Sequence, residues 1–144
     1  MDSVLISACL LGIKCRYDGD GREYDLKNLK EKFNLIPICP EIYGGLPTPR
    51  VPSEIVGDKV INREGRDVTG QYEKGAYETV KLAKMFGVKY AVLKAKSPSC
   101  GKGEVYDGTF SKALIPGDGI TVKFLKELGV EVFTENEIDV LLKK

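Results

Sequence analysis

Short apolar runs alternate along this chain with longer stretches whose apolar residues recur at helical spacing. Residues 3–7, 35–38, 88–93 and 130–133 are apolar and rich in β-branched side chains, and each has the length of a buried strand. Between them, Leu26, Leu29, Lys30 and Phe33 predict a helix over 25–33 with Asp25 as its N-cap. Tyr72, Ala76, Val80, Ala83 and Met85 predict a longer amphipathic helix that starts at Thr69, read as an N-cap, and ends at Gly87. Gly117 and Gly119 open a helix over 120–128 that Gly129 closes, and Thr134 caps a last one over 135–142. Two hairpins are predicted as well. One covers 53–62 and turns at Gly57-Asp58. In the other, Val105-Tyr106 and Thr109-Phe110 flank Asp107-Gly108. The alternation of strand and helix predicts parallel βαβ units. The expected fold is a single three-layer, Rossmann-like α/β domain over 1–144 with a mostly parallel central sheet.

Two long segments fall outside this pattern. Residues 8–21 form a Gly-rich loop bracketed early by Cys9 and Cys15, and residues 39–52 hold four of the seven prolines. Loops of this length in a compact domain usually carry function. The second is read as a rigid, shaped wall of a pocket, the alternative being an inert connector.

The cysteines change the picture most. Cys9 follows the first strand, Cys39 the second, and Cys100 lies on the turn Lys96-Ser97-Pro98-Ser99-Cys100-Gly101 after the third. Ligands of open parallel sheets bind outside the carboxyl ends of the strands. If the three strands are neighbours, three thiols reach one place, where a soft all-thiolate site suits an iron–sulfur cluster or zinc. The bland alternative is three independent buried thiols. Cys15 differs in sitting within the loop, as a fourth ligand, a thiol near substrate, or packing. No Cys-x-x-Cys pair is present, which weakens a zinc ribbon or thioredoxin-like site.

Composition narrows the chemistry. The chain has no histidine, so Cys-His and Ser-His-Asp catalysis and imidazole-ligated metals are excluded. Acid–base work falls to carboxylates, Lys, Tyr, thiols or hydroxyls. Glu41 is favoured because it follows Cys39-Pro40, where proline locks φ; the alternative is a solvated loop carboxylate. Ser97 and Ser99 flank Pro98 beside Cys100, as turn residues or as part of an anion-binding nest. Arg16, Tyr17 and Asp18 set a cation, an aromatic ring and a carboxylate beside Cys15, suited to a planar polar ring or to a plain surface turn. A net charge of +1 gives no case for nucleic acid or an anionic membrane. The eight residues before Cys9 lack the basic start and apolar length of a targeting segment, so a cytoplasmic protein is expected. Thiols in a reducing compartment point to metal binding or catalysis rather than disulfides.

Three segments taken together resemble a known family. They are Ser7-Ala8-Cys9-Leu10-Leu11-Gly12 with Cys15-Arg16-Tyr17-Asp18-Gly19, then Cys39-Pro40-Glu41, then Lys96-Ser97-Pro98-Ser99-Cys100-Gly101. In that order they resemble the small thiouracil desulfurases, and the resemblance covers nearly the whole chain. It implies a 4Fe-4S cluster held by cysteines matching Cys9, Cys39 and Cys100, with one open iron and a risk of loss on aerobic isolation. It also implies catalytic roles for Glu41 and Ser97. The implied activity is non-redox desulfuration of a small thiolated pyrimidine, such as thiouracil, to the oxo product and sulfide. Two alternatives stand beside it: a Cys-ligated structural or redox module without turnover, and an enzyme of sulfur metabolism that passes the sulfide on.

Overall fold

A computed structural model describes residues 1–144. Four strands form its central sheet: β1 (Ser3–Ser7), β2 (Asn34–Ile38), β5 (Tyr90–Leu93) and β8 (Glu131–Thr134). All pair in parallel, in the spatial order β2-β1-β5-β8. Alternation of side chains across each strand divides them between two faces. Leu5, Ala91, Leu93 and Val132 pack on one face against Ala83, Val122 and Leu125 of α3 (Thr69–Met85) and α4 (Ile120–Glu127). Val4, Ile6, Val92 and Phe133 pack on the other against Leu29 and Leu141 of α1 (Lys27–Lys32) and α5 (Ile138–Leu142). The expected three-layer α/β arrangement is the one observed. Pro37 is tolerated within β2 because that strand is at the edge, bonded on one side alone.

The strand order reverses at β1. The crossover to β2 runs through α1 on one face, and the crossover from β2 to β5 runs through α3 on the other. Consecutive crossovers leaving on opposite faces open a crevice at the carboxyl ends of β1 and β5, the usual ligand position of such sheets. The ladder between these strands ends at Ile6–Val92. Beyond it the Ser7 hydroxyl accepts from the Lys94 amide at 2.9 Å, so a side chain continues the pairing as the backbones part.

Three local readings change. The Pro-rich segment is not loop throughout: Pro40–Tyr43 forms a one-turn helix, α2, with Pro40 at its first position, where a missing N–H costs nothing. Thr69 does not cap α3. Its hydroxyl accepts from Val60 N at 2.9 Å, while Asp67 Oδ1 accepts the Thr69 amide. The hairpin β3 (Ser53–Val56) and β4 (Lys59–Asn62) forms as expected. The second one instead pairs β6 (Glu104–Tyr106) with β7 (Leu114–Pro116). Its intervening loop is claimed by side chains: Asp107 takes the Thr109 amide, and buried Glu54 takes those of Gly108 and Phe110.

Helix α2 lies hard against α3. A Cβ added at Gly75 would stand 1.9 Å from the Pro40 carbonyl oxygen, and one at Gly44 the same distance from that of Gln71. Gly75→Ala is therefore expected to destabilise the protein by about 1–3 kcal/mol in urea unfolding. Gly70→Ala on the same helix, where a Cβ meets nothing within 4 Å, is expected to be neutral or stabilising by up to about 1 kcal/mol. Equal responses at the two positions would refute close packing at Gly75.

Candidate active site

The carboxyl ends of the three neighbouring strands β2, β1 and β5 each deliver a cysteine. Cys9 lies in a single 3-10 turn, Ala8–Leu10, that follows β1 at once. Cys39 is the residue between β2 and α2. Cys100 follows β5 on a turn tied by Gly101 N to Ser97 O at 2.8 Å. All four cysteines are free, and all four line one cavity of about 400 Å³ in the crevice. Cys15, carried within a loop and not at a strand end, comes back to them. It is buried, with its thiol beside those of Cys9 and Cys39, and the Cys39 thiol donates to the Cys15 carbonyl at 3.8 Å. No three His, Cys, Asp or Glu side chains gather as ligands of one ion. The thiols form a wall of the cavity rather than a point.

The environment of Cys15, Cys39 and Cys100 favours the protonated form. Burial pushes the Cys100 thiol up to about 12. Its hydrogen bond with Cys15, then burial, raise that of Cys39 further. For Cys15 the hydrogen bond with Cys39 favours the thiolate, but the bond with Cys9 and burial outweigh it. A cationic group bound here would displace these protons and supply the missing compensating charge.

Glu41 enters from α2 at the same cavity. Its side chain is 13% exposed and is paired with Arg50, itself 7% exposed. Arg50 Nε donates to Glu41 Oε2 at 2.8 Å and Nη2 donates to the same oxygen. Burial opposes the arginine's charge, and the adjacent Glu41 carboxylate more than offsets this. Tyr72 of α3 adds a buried phenol whose ionisation is opposed by burial and then by the Glu41 charge. Arg50 and Tyr72 were not among the residues expected from the sequence. A lone arginine inside Thr48-Pro49-Arg50-Val51-Pro52 is a signal for the first; Tyr72 at helical spacing reads as core, which it also is.

Ser97 lines the cavity, and its hydroxyl oxygen accepts from the amides of Ser99 at 3.1 Å and Cys100 at 3.0 Å. It thereby shapes the turn that carries Cys100. Ser99 turns inward, almost fully buried and bonded to the Thr121 hydroxyl at 2.8 Å, and does not line the cavity. Arg16 and Tyr17 stand at the cavity, with the guanidinium 5.9 Å from the ring centroid. Asp18 lies outside it, 3.7 Å from Arg16 and capping the Asp20 amide. The far wall comes from the 106–112 loop. Phe110 and Lys112 there, with Lys96, are the residues other than glycine that hold positive φ, at 56°, 65° and 71°. Such backbone strain clusters at functional sites.

This chain resembles known proteins along almost its whole length. Residues 4–137 match the family model of 2-thiouracil desulfurase. The uncharacterized protein YbbK of Bacillus subtilis (strain 168) is 39% identical over 150 residues, an alignment that covers 96% of this chain and 99% of that protein. The solved structure of a 4Fe-4S-dependent thiouracil desulfidase, TudS, superposes with a TM-score of 0.93 at 38% identity, over 98% of this chain and 95% of that one. No helix here is long and apolar enough to cross a membrane. With family model, sequence and fold in agreement, the chain belongs to the 2-thiouracil desulfurase family.

Proposed function

We propose that residues 1–144 form one catalytic domain that removes sulfur from a small thiolated pyrimidine of the thiouracil type. The carbon–sulfur double bond is replaced by a carbon–oxygen one, water supplies the oxygen, and sulfur departs as sulfide. No electrons are gained or lost overall. The observation that carries this reading is the delivery of Cys9, Cys39 and Cys100 from three adjacent strand ends to a cavity that Glu41 shares. The 4Fe-4S dependence of the structural relative supports it.

The donor set fits such a cluster: soft thiols, no imidazole, and space in the crevice between them. Cys9, Cys39 and Cys100 would hold it. Cys15 is assigned as a neighbouring thiol, because it is carried by the loop and not by a strand end. When bound through three thiolates, the cluster supplies a Lewis-acidic iron suited to the soft sulfur of a thiocarbonyl.

The chain's own residues supply the rest. Glu41, which lines the cavity, donates a proton to the ring nitrogen or activates the attacking water. Ser97 has both lone pairs committed to the Ser99 and Cys100 amides, so its hydroxyl can act towards substrate only as a donor. Tyr17, half exposed at the mouth, offers a face for the planar ring. The pyrimidine is a free small molecule, the protein works in the cytoplasm, and neither nucleic acid nor membrane is required.

Anaerobic purification followed by iron, sulfide and zinc analysis tests the reading. Iron with matching sulfide is expected; stoichiometric zinc without iron would establish a structural module instead. Cys9→Ser, Cys39→Ser and Cys100→Ser are each expected to lose the iron, and Cys15→Ser to keep it. Emptying of the site by Cys15→Ser would make that thiol a ligand. Loading is also expected to slow as pH falls, because each ligand thiol must give up a proton and burial pushes the Cys100 thiol up to about 12.

Glu41→Gln is expected to retain the cluster and to lower turnover of thiouracil by about 10²-fold or more. Ser97→Ala is expected to lower it less. Product formed per iron, measured anaerobically, decides both. Full turnover in Glu41→Gln would remove that residue from the chemistry.

A further inference from the structure

Arg50 is the most heavily bonded side chain of the cavity. A guanidinium has five N–H donors and no acceptor, and here every donor is occupied by the protein. Nε and Nη2 both reach Glu41 Oε2; Nη2 also reaches the Cys15 carbonyl at 3.1 Å. Nη1 donates to the Pro47 carbonyl at 3.1 Å and the Thr48 hydroxyl at 3.2 Å. The Arg50 amide donates to the Tyr17 carbonyl at 2.7 Å. One buried residue thus ties together the helix of Glu41, the loop of Cys15 and Tyr17, and the Pro-rich segment.

We propose that Arg50 is the positioning residue of this site: it holds the Glu41 carboxylate in fixed relation to the cysteine wall and does not bind substrate. The inference rests on the assignment of Glu41 to proton transfer. Cationic residues in a cavity ordinarily suggest an anionic ligand, but Arg50 has no donor left for one. Its planar fork meets Glu41 through two nitrogens at once, which fixes orientation as well as charge. A lysine has three donors on one atom and cannot span Glu41, the Cys15 carbonyl and the Pro47–Thr48 turn together. Misplacement of a catalytic group by about 1 Å can cost about 10²-fold in rate.

The test is a double-mutant cycle on the anaerobically assembled enzyme with thiouracil. Arg50→Met is expected to lower kcat per cluster by about 10²-fold with KM changed by less than about threefold. In the Glu41→Gln background the same substitution is expected to cost less than about threefold more, since two residues acting as a unit are not additive. Arg50→Lys is expected to behave like Arg50→Met, and it remains informative if the methionine variant folds poorly.

A second readout needs no cluster. In the cluster-free protein, Arg50→Met is expected to lower Tm by about 5 °C or more, because it leaves a buried carboxylate unpaired. Adding Glu41→Gln is expected to restore much of that loss. A rise in KM at unchanged kcat, multiplicative losses in the cycle, full activity of Arg50→Lys, or equal Tm for the single and double variants would each overturn the positioning role. All of these leave the role of Glu41 standing. Full turnover in Glu41→Gln alone overturns that role as well, and so separates the two failures.

Discussion

The reversal of strand order at β1 is the constraint on which the rest of this structure depends. Because α1 and α3 leave the sheet on opposite faces, a crevice opens at the carboxyl ends of β1 and β5, and the loops that follow the strands wall it. Three chain segments then emerge side by side from β2, β1 and β5; Cys39 follows its strand at once, Cys9 after one intervening residue, and Cys100 on the turn that follows β5. The sheet has apolar cores on both faces, so these strand ends are rigid points, and sites built on rigid elements hold their geometry better than sites built on loops. A long contact range in sequence, from Cys9 to Cys100, becomes a short one in space through pairing alone.

Burial creates the complementary electrostatic problem. The crevice holds three thiols, those of Cys15, Cys39 and Cys100, that ionise with difficulty, together with a carboxylate, a phenol and an arginine paired to that carboxylate. In the protein alone, the buried pair is balanced and the thiols are neutral. Thiolate ligation would add negative charge to a low-dielectric place, which is tolerable once a cationic group shares it. The wall is thus chemically prepared for a metal-containing group, and the Glu41 carboxylate already has a counter-charge in Arg50.

The sheet, its parallel sense and the cysteine addresses were legible because they are encoded locally: strands 3–7 and 53–56 fall where apolar runs and turn residues put them. What failed was encoded in tertiary bonds. Thr69 reads as a cap until Val60, nine residues away, claims its hydroxyl. Thr109-Phe110 reads as a strand until Glu54, more than fifty residues away, takes the loop amides. The same holds for the site. Cys9, Cys39, Cys100 and Glu41 were visible from strand ends and from Pro40. The approach of Cys15 to Cys9 and Cys39, the inward turn of Ser99 and the engagement of Arg50 depend on how two long loops fold onto each other, and no periodicity in the sequence records that.

In the reading proposed above, a chain without histidine solves proton transfer by placement. An imidazole can donate, accept and reorient near neutral pH; a carboxylate and a hydroxyl do so well only when their surroundings fix which atom faces the substrate. Here that fixing is extensive. Arg50 has spent every donor, the Ser97 oxygen has spent both lone pairs, and the Cys15 carbonyl receives both Arg50 and the Cys39 thiol. Groups so committed cannot swing to follow a ligand, and preorganisation of this kind removes the reorganisation cost at the moment of reaction. The close approach of α2 to α3 at Gly44 and Gly75 serves the same end, since it sets where the helix bearing Glu41 begins. The Pro-rich segment is therefore a frame for the carboxylate as much as a wall of the cavity, and under the role proposed for Glu41 its rigidity would stand in for the missing imidazole.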